Sequence, residues 1–281
     1  MSTLVPPLYA GLVDDASVLP PSNTGVPDAL ATFRDRGQAW YGELVGCFLV
    51  PTSLVDFDRP WSGLSVSVVN DTSIGALPSA VTKLRAAGAT VRQVEAAVSR
   101  RGEDPQPGVA ELITLAEHGP DLEVYAEIPL SWGLLGALDA VAQARGQGVR
   151  IAPKFRVGGL AAELFPTPVE LAAVICACRD RDLPFKLATG LRHALRHTDP
   201  ETGFTHHGFL NVLVASVVAV EGGEVADVAE SLAATHPVPL VEPARVHRNG
   251  PRPLWAGFGT SNVLDPLTEL VRLGLVNGGF E

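Results

Sequence analysis

A parallel, closed (β/α)8 barrel is the architecture this chain predicts, and three observations predict it. Eight strand-length apolar segments punctuate its 281 residues. Helix-like stretches, with apolar residues at three- and four-residue spacing, lie between most of them. The length suits one barrel domain of ~250 residues or a little more. Strands alternating with helices mean βα units and a parallel sheet, and eight units fit a closed barrel better than an open doubly wound sheet.

In chain order, the first segment, Leu8–Asp15, ends on two acids and precedes a helical stretch at Val26–Arg36. Glu43–Val50 and Leu64–Asn70 follow as second and third strands, and the connection between them, Pro51–Gly63, has room only for a short helix. Leu77–Ala87 reads as a helix, Thr90–Val98 as a strand, Val109–His118 as a helix, and Leu122–Leu130 as the fifth strand. Leu134–Ala144 leads to the sixth strand, Val149–Val157, and Pro168–Arg179 to the seventh, Pro184–Leu191. Asn211–Val220 is helical, and the long stretch from Glu221 to Pro253 carries an extra helix-like piece, Val225–Ala234. Leu254–Thr260 supplies the eighth strand and Pro266–Leu273 the last helix. No internal repeat or linker divides the chain, so residues 1–281 read as one domain.

Composition narrows the function. Apolar residues make up 46% and charged residues 19%, enough for a large core and too few charges for disorder. The net charge of −10 repels polyanions, so no nucleic-acid partner is expected. No segment approaches ~18 uninterrupted apolar residues, so no membrane span is expected. Cys47, Cys176 and Cys178 form no C-x-x-C pair and read as buried thiols of a reducing compartment. Met1 to Pro7 has neither a basic start nor an apolar run, so the expected location is cytoplasmic. A homo-oligomer is compatible with all of this, and no cofactor is called for.

Strand parity sorts the side chains, since alternate residues face opposite sides. On the sixth strand Ile151, Pro153, Phe155 and Val157 face the helices, leaving Ala152, Lys154 and Arg156 inside. Phe185 and Leu187 put Lys186 inside on the seventh. Val94, Ala96 and Val98 leave Gln93 and Glu95 inside, and Val124, Ala126 and Ile128 leave Tyr125 and Glu127 inside. The interior thus gathers two acids and three bases, which must pair to survive burial.

Lysine usage sharpens the point. The chain has three lysines, Lys83, Lys154 and Lys186, and two of them fall on neighbouring strands with inward parity. Arginine would supply charge but not a titratable amine. These lysines either balance Glu95 and Glu127 or form a Schiff base. In the second case neighbouring cations and burial would disfavour the ammonium and free the amine. Asp14, at the end of the first strand, joins Glu95 and Glu127 as a candidate acid or base; Asp14, Asp15, Asn70 and Asp71 serve equally well as turn residues, caps or a Mg²⁺ site.

The run from Lys186 to His197 reads KLATGLRHALRH and contains no acid. Arg192, His193, Arg196, His206 and His207 therefore form a candidate anion site, or else a solvated loop. Gly158 and Gly159 would let backbone amides approach the same anion. His193 and His197 lie four apart, but without H-E-x-x-H or a nearby Glu no metal is expected.

Four segments in order, LVDDASVLPP (12–21), APKFRVGG (152–159), PFKLATGLR (184–192) and GFGTSNV (257–263), resemble the strand ends of the deoxyribose-phosphate aldolases, a class I aldolase family. The resemblance implies a Schiff-base role for Lys154 and a second-lysine role for Lys186. It also implies a phosphate turn built from Gly190, Arg192, Gly259, Thr260 and Ser261. Arg156 stands where that family has a small hydroxyl residue, and no clear motif matches its acid. KFRVGG (154–159) and HGFLN (207–211) are also similar to bacterial barrel proteins of no assigned activity. Three readings follow. The chain is a lysine-dependent lyase acting on a small anionic carbonyl compound or phosphosugar. Or it is an enzyme that clamps a phosphosugar or carboxylate without an imine, for phosphoribosyl transfer or isomerisation. Or it is a non-catalytic anion-binding barrel.

Overall fold

A computed structural model describes residues 4–55 and 61–278. The strands are β1 (Val13–Asp15), β2 (Val45–Pro51), β3 (Ser65–Val69), β4 (Thr90–Ala97), β5 (Glu123–Glu127), β6 (Ile151–Arg156), β7 (Phe185–Ala188), β8 (His197–Thr198), β9 (Thr205–His206) and β10 (Trp255–Thr260). Eight of them close a parallel barrel in the order β1-β10-β7-β6-β5-β4-β3-β2, with β1 pairing on to β2. β8 and β9 form a separate antiparallel ribbon. The helices are α1 (Val26–Gln38), α2 (Leu77–Ala86), α3 (Gln106–His118), α4 (Leu134–Gly146), α5 (Pro168–Arg179), α6 (Phe209–Val220), α7 (Val225–Ala233), α8 (Val238–His247) and α9 (Leu264–Arg272). Among the described residues no helix is long and apolar enough to cross a membrane.

The outward strand faces build the core against these helices. Phe155 and Phe185 meet across β6 and β7 with ring centroids 6.2 Å apart, and Phe258 of β10 stacks between Trp255 and Phe209 of α6 at 5.6 and 5.9 Å. α6 is apolar on all sides and is buried on all sides, as such a helix must be. α5 and α7 cover it, which is why the chain carries an extra helix after α6.

Two features differ from the expectation. β1 is shorter than Leu8–Asp15, because Pro7–Tyr9 forms a 3-10 turn and Gly11 takes a positive φ of 58°. α8 was hidden by Pro237, Pro239 and Pro243. The first two sit at the cap and in the opening turn, where a missing N–H costs nothing. Between β2 and β3 the described residues hold only a 3-10 turn, Thr52–Leu54, and residues 56–60 of that connection lie outside the described set.

Arg252 locks the amino-terminal end of the barrel. Its guanidinium donates to the carbonyls of Leu8 (2.9 Å), Ala10 (3.1 Å), Trp255 (2.7 Å) and Ala256 (2.8 Å), tying the segment before β1 to β10. Burial lowers its pKa to about 10.

Candidate active site

Inside the barrel six charged side chains form one alternating chain. Asp14 of β1 binds Lys186 of β7, which binds Glu95 of β4 at 2.5 Å. Glu95 reaches Lys154 of β6 at 3.0 Å, Lys154 reaches Glu127 of β5 at 2.8 Å, and Glu127 reaches Arg156 at 2.9 Å. Register explains the contacts: Glu127 is the partner of Lys154, and Lys154 of Lys186, so these three stand at one level. Glu95 pairs with Tyr125, two residues earlier on β5, and so sits beneath both lysines and bridges them. Its Oε1 also accepts from Ser67 at 2.8 Å.

The two amines differ in how their donors are spent. An ammonium has three N–H groups. Lys186 spends all three, on Asp14, Glu95 and Gln93 Oε1 at 2.9 Å, and lies over the Tyr125 ring at 5.0 Å. Among the described residues Lys154 has two partners, Glu95 and Glu127. Its side chain keeps 8% of its surface exposed against 3% for Lys186.

Contact with the acids reverses the expected amine electrostatics. Burial would push the Lys154 ammonium down, but Glu127 and Glu95 outweigh it and raise its pKa above the ordinary lysine value. Lys186 is likewise raised, burial being overcome by Asp14 and Glu95. Neighbouring cations therefore do not free either amine at rest. Burial works against the Glu95 carboxylate too, yet Lys186 and Lys154 hold it well below the usual range. Lys154 and Arg156 bring Glu127 down to about 2 against the same opposition. Asp14 moves the other way: burial raises it, Lys186 offsets this only in part, and the Glu95 charge adds to the rise.

Each strand position has a local reason. Asp14 Oδ1 accepts from the Cys47 amide at 2.6 Å and fills the space where a Cβ at Gly46 would stand, so β2 needs glycine there. A Cβ at Gly259 would lie 2.8 Å from Leu49 Cδ1, which points into the barrel. Two cavities flank the charge chain. One of about 150 Å³ lies at the carboxyl ends of β4, β5 and β6, where barrel enzymes place their sites, and Glu127 and Arg156 line it. Another of about 300 Å³ opens at the amino ends, touching Asp14, Gln93, Tyr125 and Lys186.

The basic run is placed elsewhere on the same face. Arg192, with 66% of its side chain exposed, pairs with Asp265 of α9 at 3.0 Å, and His193 Nδ1 lies 2.7 Å from Glu269. The acids missing from the run are thus supplied by α9, some seventy residues on. Arg196 donates its amide to Asn211 Oδ1 at 2.8 Å and holds its guanidinium 3.4 Å from His207 Nδ1. His207 is buried with Nε2 2.8 Å from the Pro166 carbonyl, and burial brings its pKa down to about 4. His206 stacks on His197 at 5.2 Å, and His197 meets His193 edge-on at 4.4 Å. Among the described residues no group of three or more His, Cys, Asp or Glu is arranged to hold a metal ion.

The glycines after β6 and β7 meet each other. A Cβ at Gly158 would lie 3.0 Å from Gly190 Cα, and Gly190 needs its positive φ of 82°. Gly159 makes room for Leu164. Among the described residues the amides of Gly158, Gly159 and Gly190 donate no hydrogen bond. Thr260 accepts from the Ala16 amide through its carbonyl at 2.8 Å, and its Oγ1 accepts from the Asn262 amide at 3.3 Å; Ser261 lies between. Asp15 pairs with Arg36, and Asp71 binds Thr52 and Ser53, so both are structural turn acids. Sequence reasoning had placed Gln93 and Tyr125 inside without a role, and it overlooked Ser67, which inward parity on β3 would have found. Arg101 and Ser99, just past β4, also line the 150 Å³ cavity.

Comparison with protein-family models, with curated proteins and with solved structures finds no match.

Proposed function

We propose that the chain is a lysine-dependent lyase that forms an imine between Lys154 and a small anionic carbonyl compound or phosphosugar, as class I aldolases do. The observation that carries this is the donor accounting. Lys186 is a saturated ammonium, whereas Lys154 has, among the described residues, a spare N–H and the greater exposure, and it stands between two carboxylates. An amine must lose a proton before it attacks, and Glu127 at 2.8 Å and Glu95 at 3.0 Å are in reach to take it. The neutral amine then adds to the carbonyl carbon, and the C=O electron pair moves to oxygen, which takes the proton back. Loss of water leaves the C=N bond.

A second reading rests on the raised lysine pKa values: Lys154 remains an ammonium and only clamps the substrate. Borohydride trapping with a panel of aldehydes, keto acids and phosphosugars separates the two. The imine reading expects a reduced adduct on Lys154, total loss of activity in Lys154→Arg and partial loss in Lys186→Arg. Lys154→Arg retaining most activity would establish the clamp instead.

A further inference from the structure

The cavity at the carboxyl ends of β4, β5 and β6 is lined by Ser99, Arg101, Glu127, Arg156 and Glu163 over an apolar floor that includes Pro129. Its volume, about 150 Å³, is that of a cavity known elsewhere to enclose a benzene, a molecule of about six non-hydrogen atoms. A three-carbon 2-oxo acid, with six non-hydrogen atoms, matches that volume. Two guanidiniums face two carboxylates, so the wall is neutral and suits a monoanion better than a dianion. Among the described residues Arg101 has no ion-pair partner, unlike Arg192 of the basic run. Its loop is held in place by Trp132, whose Nε1 donates to the Gly102 carbonyl at 2.9 Å. The Ser99 hydroxyl is buried without a partner among the described residues, a donor still unspent beside an anion.

Glu127 stands between this cavity and the amine, with Oε2 2.8 Å from Lys154 Nζ and Oε1 2.9 Å from Arg156 Nη2. We infer that the cavity is the carboxylate subsite for a small 2-oxo acid, held by Arg101 and Arg156, and that the arriving carboxylate releases Glu127 from Arg156 to accept the Lys154 proton. The inference rests on the reading of Lys154 as the imine-forming amine. It answers how an amine held as ammonium becomes a nucleophile only when substrate is present. A guanidinium that turns from Glu127 to the substrate no longer depresses that carboxyl, and Glu127 becomes the better base. One proton passes from Nζ to Glu127 Oε2, the free amine adds to C2 of the oxo acid, and the oxygen departs as water with that proton and one more from nitrogen.

The test is borohydride trapping, read by intact-protein and peptide mass, with pyruvate and with acetone, which lacks the carboxylate. The unaltered protein should trap pyruvate on Lys154 in preference to acetone. Arg101→Gln should slow pyruvate trapping at low concentration by roughly tenfold or more, the loss expected of one charge-assisted contact, and leave acetone unchanged. Arg156→Met should slow pyruvate yet speed acetone, because Glu127 is then free at all times. If both variants trap pyruvate at the original rate, the subsite is wrong and the imine stands. If nothing is trapped, calorimetric titration with pyruvate decides. Binding weakened by Arg101→Gln keeps the subsite and removes the imine; equal binding, or none to the unaltered protein, overturns the subsite.

Discussion

Glu95→Gln is the perturbation that reads the charge chain most directly. The carboxylate is 1% exposed and neutralises two ammoniums, Lys186 at 2.5 Å and Lys154 at 3.0 Å, while accepting from Ser67. Glutamine has one oxygen, which can keep Lys186 and Ser67, but its NH₂ group then confronts the Lys154 cation. Removing one partner of a buried ion pair costs ~3–5 kcal/mol. Each lysine retains one other carboxylate, Asp14 or Glu127, so the lower end, ~3 kcal/mol, is expected. With a urea slope near ~3 kcal/mol/M for a chain of this size, the unfolding midpoint should fall by about 1 M at pH 7. The pH dependence follows from the sign of the shift. The folded Glu95 pKa is depressed, so its stabilisation is complete above the unfolded value of ~4.3 and is lost as pH falls below it. The gap between the two proteins should therefore hold from pH 7 to ~5 and shrink by more than ~1 kcal/mol by pH 3. A midpoint within ~0.2 M of the original at pH 7 would refute the ionised network, as would a gap that ignores pH.

Two further outcomes test the surroundings. Arg192→Ala should cost no more than ~1 kcal/mol, the value of an exposed ion pair, and leave pyruvate and phosphate affinity unchanged in calorimetry, because Asp265 already engages that guanidinium; a tenfold weaker anion would return the anion site to the basic run. His207 is buried as the neutral imidazole with its pKa down at about 4, so the unfolded chain takes up the proton first and stability falls from pH ~6.5 towards 4. His207→Gln, which can still donate to the Pro166 carbonyl, should flatten that part of the stability–pH curve by up to ~3 kcal/mol; an unchanged slope would show that other groups set it.

The barrel was readable because apolar strand-length segments alternate with helical ones, and because β4 to β7 set apolar residues on one face against polar ones on the other. Phe155 and Phe185 on one face leave Lys154 and Lys186 no direction but inward. What escaped was local backbone chemistry. α8 opens with prolines that look like breakers yet sit where a helix tolerates them, and Gly11 stops β1 from running back to Leu8. The ribbon of β8 and β9 depends on two pairs of residues, too short for any periodicity to register.

Membership of the interior was also readable, but contact was not, and contact decides the chemistry. Parity put Lys154 beside the cations Lys186 and Arg156, from which a depressed amine pKa followed. The register places an acid against each side of it instead. Glu127 is level with Lys154, and Glu95 lies one step deeper, where it spans both lysines. The shift of register between Val66 and Ser67, where β3 meets β4, belongs to this arrangement, since from there Ser67 pairs with Gln93 and Val69 with Glu95. A side chain list with equal numbers of acids and bases is compatible with either sign of the lysine shift. Only the order along the chain, acid between every pair of bases, makes both lysines ammonium at rest. On the proposed imine reading the substrate must open the chain before the amine acts, and the end of the chain that faces a cavity at the carboxyl ends of the strands is Arg156.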